Sequence, residues 1–232
     1  MPDSKNAFRQ SVKRRAIVME IGGFPPPENP QASWFGKVAF GLPGEEWPMG
    51  DDYLPMIPLA QINLAELPFR PPHLEDTEFI AIFIDPDTNG GDENGSTWCV
   101  RAYPNLAALT PLEAPEELES DIIALPMRPK IIEEDYPSYD DVADDIPDDL
   151  AGTYENDFEN VSGFKLGGWP SLIQSPIDWL AEADKIAEPE YVFQIGSIEE
   201  GQWSWGDGGV AYFGRGTAPG HKDEWFFVWQ SF

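Results

Sequence analysis

Apolar residues along this chain fall in short runs bounded by glycine and proline. "RRAIVMEIGG" (Arg14 to Gly23), "PLAQINL" (Pro58 to Leu64), "IAIF" (Ile80 to Phe83), "YVFQIGS" (Tyr191 to Ser197), "VAYF" (Val210 to Phe213) and "EWFFVWQ" (Glu224 to Gln230) have strand length. They are rich in β-branched and aromatic residues, which favours strands over helices. "GFPPPENPQ" reads as an extended turn region. Helical patterning is scarce. "PIDWLAEADKIA" (Pro176 to Ala187) is the best candidate. Ser175 stands at its N-cap and Pro176 in its first turn. Ile177, Leu180, Ala181 and Ile186 fall near one face. "PLEAPEELESDIIALP" (Pro111 to Pro126) is read as holding a short helical turn.

Three late segments repeat three early ones in the same order. "PLAQINL" resembles "YVFQIGS", with Gln61 matching Gln194 and Ile62 matching Ile195. "IAIF" resembles "VAYF". "TWCVRAY" (Thr97 to Tyr103) resembles "EWFFVWQ", with Trp98 matching Trp225. The offsets are 133, 130 and 127 residues, a slow drift of the kind that loop-length changes produce. The expectation is an α+β fold: β-rich, mainly antiparallel, with two related halves in one domain and few helices. Residues 1–30 form a basic opening and first strand. Residues 31–232 form the domain, with repeats near 31–112 and 160–232 and an acidic linking segment over 113–159.

That segment changes the picture. From Glu133 to Glu159 acids recur with no lysine or arginine, and Tyr136, Tyr139, Val142, Ile146, Leu150, Tyr154 and Phe158 lie among them. From Tyr139 onward the apolar spacing is three or four residues, one face of a helix. Pro147 argues against a single continuous helix. The expected arrangement has the apolar residues anchoring the segment and the acids facing out. The candidate partner-binding residues are Asp135, Tyr136, Tyr139, Asp140, Asp141, Asp144, Asp145, Asp148, Asp149 and Tyr154. The formal net charge of the chain is −28. Phosphates would be repelled, so neither DNA nor RNA is an expected ligand. A cationic partner is.

Candidate chemistry adds little. Cys99 is the only cysteine, so no internal disulfide forms, and it reads as a buried structural thiol. His73 and His221 have no metal-type spacing. "GDGGVA" (Gly206 to Ala211) has the glycines of a dinucleotide loop but a strand after it, so a β-turn is expected. "DPDTNGGDENGS" (Asp85 to Ser96) places Asp85, Asp87, Asn89 and Gly90 as a calcium loop would, but Ser96 stands where a bidentate glutamate belongs. It reads as a polar hairpin loop, with a weak cation site left open. No cofactor, metal or catalytic group is expected. The basic start lacks an apolar signal core, and no run of ~18 apolar residues exists, so a cytoplasmic location away from the membrane is expected.

"FKLGGWPSLIQSP" (Phe164 to Pro176), "FQIGS", "GQWSWGDGGVAYFG" and "EWFFVWQ" together resemble the bacterial YwqG-like family. The matching positions are Lys165, Gly167, Gly168, Pro170, Gln194, Ile195, Trp205, Gly206, Asp207 and Gly209. "EEWP" before "LAQINLAELP" carries the likeness into the first half. Two departures stand out: "FGKVAFGLP" replaces the Phe-Gly-Gly-x-Pro expected near Phe35, and the long acidic stretch is not part of the pattern. The resemblance implies a mixed, sheet-based fold without an established activity. It also implies, for some members, an immunity role beside secreted or contact-delivered toxins. Joined to the acidic segment, it leads to the expectation of an immunity protein that blocks a toxin, with a basic nuclease the best-fitting class. The alternative is a small-molecule or glycan-binding housekeeping domain using Trp203 and Trp205.

Overall fold

The computed structural model describes residues 4–88, 90–179 and 184–232. Helix α1 (Ser4–Val12) leads into β1 (Arg14–Ile21). β2 (Trp34–Phe35), β3 (Phe40–Gly41), β4 (Ile57–Asn63), β5 (Phe79–Ile84), β6 (Trp98–Tyr103) and β7 (Thr110–Pro111) follow. Then come β8 (Leu125–Asp135), α2 (Tyr139–Val142), α3 (Tyr154–Asp157), β9 (Lys165–Gly167), α4 (Asp184–Ala187), β10 (Pro189–Gly196), β11 (Val210–Gly216) and β12 (Trp225–Gln230). Ten of these strands form one antiparallel sheet in the order β12-β11-β10-β9-β1-β8-β2-β4-β5-β6, and β3 pairs with β7.

The order is symmetric about its centre. β4-β5-β6 and β10-β11-β12 are matching meanders, and β2 and β9 border them in the same way. The first strand of each half crosses over: β1 pairs with β9, and β8 pairs with β2. The likeness extends to irregularities. The β4–β5 register shifts between Pro58 and Ala60, and the β10–β11 register shifts between Tyr191 and Phe193. These bulges occupy matching positions in the repeat. Gln61 and Gln194, both fully buried, do the same work. Gln61 accepts from the Ala39 amide at 2.9 Å and donates to the Ala32 carbonyl at 2.7 Å, spanning β2. Gln194 accepts from the Ser171 amide at 2.8 Å and donates to the Gly163 carbonyl at 3.3 Å, spanning β9.

The two edges curl toward each other, and the sheet is nearly barrel-shaped. Trp98 on β6 meets Phe227 on β12 at 5.4 Å between ring centroids. The loop from Asp85 to Ser96 bridges the gap, with the Gly91 amide donating to the Phe227 carbonyl at 3.1 Å. Ile80, Ile82, Ile84, Phe213, Phe227 and their neighbours fill the interior. The opposite face of β5, with Phe79, Ala81 and Phe83, is covered by residues such as Val38, Trp47 and Met56. Burial on both faces explains why "FIAIFI" is continuously apolar instead of alternating.

Two helical expectations are corrected. Helix in the 176–187 segment appears only at Asp184–Ala187, residues 176–179 are not helical, and residues 180–183 lie outside the described residues. Ile177 and Trp179 instead lie against the outer face of β11 and β12. Gly214 leaves room for the Trp179 ring, since a Cβ there would clash with it. No helix forms over residues 112–124, where Pro115 is followed by a turn.

Candidate functional site

The acidic segment begins where β8 ends. Asp135, the last residue of β8, is 0% exposed, and a buried carboxylate is costly without partners. Lys165 supplies its ammonium at 3.1 Å, and the Val161 and Trp169 amides donate at 2.9 and 2.7 Å. Burial pushes the Lys165 pKa down, and the Asp135 charge opposes that shift. Gly168, at φ +68°, must be glycine here, because a Cβ would collide with the Asp135 carboxylate. The first half has Lys37 at the corresponding place, with its ammonium over the Trp34 ring instead. So Asp135 does not belong to the outward array that the sequence suggests. It is the buried pin that fixes the root of the segment.

Beyond the pin, the chain folds over its own apolar residues. Tyr136, Val142, Ile146, Leu150, Tyr154 and Phe158 are buried in one cluster with Phe8 of α1. The three- and four-residue spacing therefore marks one inward face, as expected. It is carried by α2, turns and α3 rather than by one helix. Leu150 donates to the Pro147 carbonyl at 2.8 Å within such a turn. The Tyr154 hydroxyl donates to the Pro137 carbonyl at 3.0 Å, and the Asn160 amide donates to the Tyr136 carbonyl at 2.7 Å. Tyr136 and Tyr154 are thus anchors of the segment, closed to a partner in this arrangement.

Asp140, Asp144, Asp145, Asp148 and Asp149 are exposed, beside Tyr139 at 39% exposure. Among the described residues, Asp140, Asp144, Asp145 and Asp148 have no basic partner. Asp141 is half-buried and accepts from the Ser138 amide at 3.2 Å. Burial raises its pKa to about 6, with the Ser138 hydrogen bond acting the other way.

The structure adds α1, a helix that the apolar runs of the sequence do not predict. Lys5 meets Asp157 at 2.6 Å, and Arg9 and Lys13 each meet Glu134 at 3.5 Å. The spacing of Lys5, Arg9 and Lys13, with Phe8 and Val12 beside them, is that of a short amphipathic helix. The Trp169 indole donates to the Val12 carbonyl at 2.7 Å, and the Arg14 guanidinium lies 3.4 Å from the Trp169 ring centroid.

Other candidates are structural. Trp205 is buried in the main core and packs edge-on against Trp203 at 5.0 Å, so these two rings do not form an open sugar-stacking platform. The 206–209 turn precedes a strand, β11, as expected. In the 85–96 loop, Asp85 accepts from the Asp87 amide at 2.9 Å and Asp92 from the Thr97 hydroxyl at 2.8 Å. Among the described residues, no group of three or more acids, histidines or cysteines could hold a metal. Cys99 is buried, and burial raises its thiol pKa.

Residues 33–214 match the profile of a family described as a domain of unknown function, DUF1963. The chain belongs to this family. The DUF1963 match begins after α1 and β1, and it contains the acidic segment and both Gln clamps. A comparison with curated proteins returned no match. No helix among the described residues is long and apolar enough to cross a membrane.

Proposed function

We propose that this protein is an immunity protein of the YwqG-like kind. It binds a cognate bacterial toxin in the cytoplasm and neutralises it by laying its acidic face over a basic cleft. A nuclease fits best, because a cleft built for phosphates accepts an array of carboxylates. The observation that carries this reading is the arrangement of residues 139–149. Asp140, Asp144, Asp145 and Asp148, without a basic partner among the described residues, stand exposed beside a half-exposed tyrosine, Tyr139, and buried aromatics hold the segment onto a packed sheet. Such a surface attracts a cationic partner at long range and offers an aromatic anchor at short range. No catalytic group is needed for inhibition by occlusion.

The test is co-purification of the tagged full chain from its host at low salt, followed by an assay of the partner's activity. A stoichiometric basic partner, inhibited by the wild-type chain, is the expected result. A chain that emerges alone would overturn the proposal.

A further inference from the structure

The inner side of the same module holds a second recognition feature. Tyr136, Tyr154 and Phe158 form an aromatic box, with Tyr154 and Phe158 stacked at 4.7 Å and Tyr136 edge-on to Phe158 at 5.3 Å. Phe8 enters it edge-on, 5.6 Å from Phe158 and 6.2 Å from Tyr154. Arg9 follows. Its guanidinium lies 5.3 Å from the centroids of both Tyr136 and Phe158. It donates to the Asp157 carbonyl at 2.9 Å and faces the Glu134 carboxylate at 3.5 Å. A half-buried guanidinium over two rings, beside a carboxylate, is a recognised mode of cation binding.

The occupant does not fill the space. α1 has nine residues, too few to be stable as an isolated helix in water, and only Phe8 is buried among residues 5–12. A cavity of ≈ 870 Å³ runs on from Arg9, lined by Tyr139, Asp140, Glu155 and Glu159 among others. The walls that continue past Arg9 are acidic and aromatic, like those around it. α1 also precedes the family match.

We infer that this groove is a binding site for a basic amphipathic helix bearing an aromatic residue next to an arginine, and that α1 is its exchangeable internal occupant. A partner helix of that chemistry displaces α1, seats its own aromatic–arginine pair in the box, and places further cations along the acidic walls. The site shares Tyr139 and Asp140 with the outward face, but it is tested without any toxin, so either proposal can fail alone.

The probe is a fluorescent peptide with the sequence of residues 4–13, titrated by anisotropy into the full-length chain. Phe8→Ala/Arg9→Ala in the protein empties the box. This variant is expected to bind the peptide at least tenfold more tightly than wild type does. A peptide carrying Phe8→Ala and Arg9→Lys is expected to lose that binding while keeping its charge. Equal affinity for wild type and variant, no binding to the variant, or equal binding of the altered peptide would each overturn the inference. If the double variant loses its native near-UV circular dichroism, Arg9→Glu, at a half-buried position, provides the same comparison.

Discussion

Asp135 receives an ammonium and two backbone amides, all inside the protein. Removing its carboxylate leaves the Lys165 charge buried without its counter-ion. Asp135→Ala is therefore expected to cost about 3–5 kcal/mol, the usual range for breaking a buried pair. Urea unfolding measures this, and a loss below about 1 kcal/mol would refute the pin. Asp141 behaves differently. Its folded pKa of about 6 lies above the ordinary 3.8, so protonation favours the folded state. The stability this group contributes is complete below about 3.8 and is lost as pH rises through about 6. Asp141→Asn should raise the melting temperature at pH 7–8 and flatten its rise as pH falls from about 6 to about 4. An unchanged slope would contradict that assignment. At this scale the sequence was only partly legible. Asp135 sits in a charge run, and nothing in a run distinguishes the one acid that turns inward. The sign lay thirty residues on, in the lysine and paired glycines at Lys165, Gly167 and Gly168.

The two meanders were readable as elements because a repeat needs no knowledge of partners. Gln61 and Gln194 stood out as polar residues shared by two apolar runs, and each proves to clamp a short strand. Replacing either with leucine leaves buried backbone groups unsatisfied. Gln61→Leu and Gln194→Leu should each cost about 1–3 kcal/mol, and by similar amounts. Equilibrium unfolding of both variants checks this, and a large inequality would argue against equivalent roles. The crossing of β1 and β8 into opposite halves was not legible, since pairing between distant strands leaves no local pattern. The helix expected across 176–187 gave way at Trp179, because an indole over Gly214 and Phe226 outweighs the weak periodicity of that segment. α1 is hard to see in the sequence because its basic residues stand out as charge, while only Phe8 and Val12 mark its apolar face.

Across the whole molecule, the charge of −28 is tolerated by a sheet that buries both faces of β4 and β5 and curls until its edges meet. The basic opening is spent on its own acids at Glu133, Glu134 and Asp157. What remains outward at 140–149 is negative and held on a packed apolar base, and the proposed function depends on that surface. The most direct test is the association rate of the co-purifying partner at low and high salt. Wild type is compared with a chain carrying Asp→Asn at 140, 144, 145, 148 and 149. The account predicts association at least about tenfold slower for the variant at low salt, with most of the salt dependence gone and the fold intact. Equal rates and equal salt dependence for the two chains would contradict it.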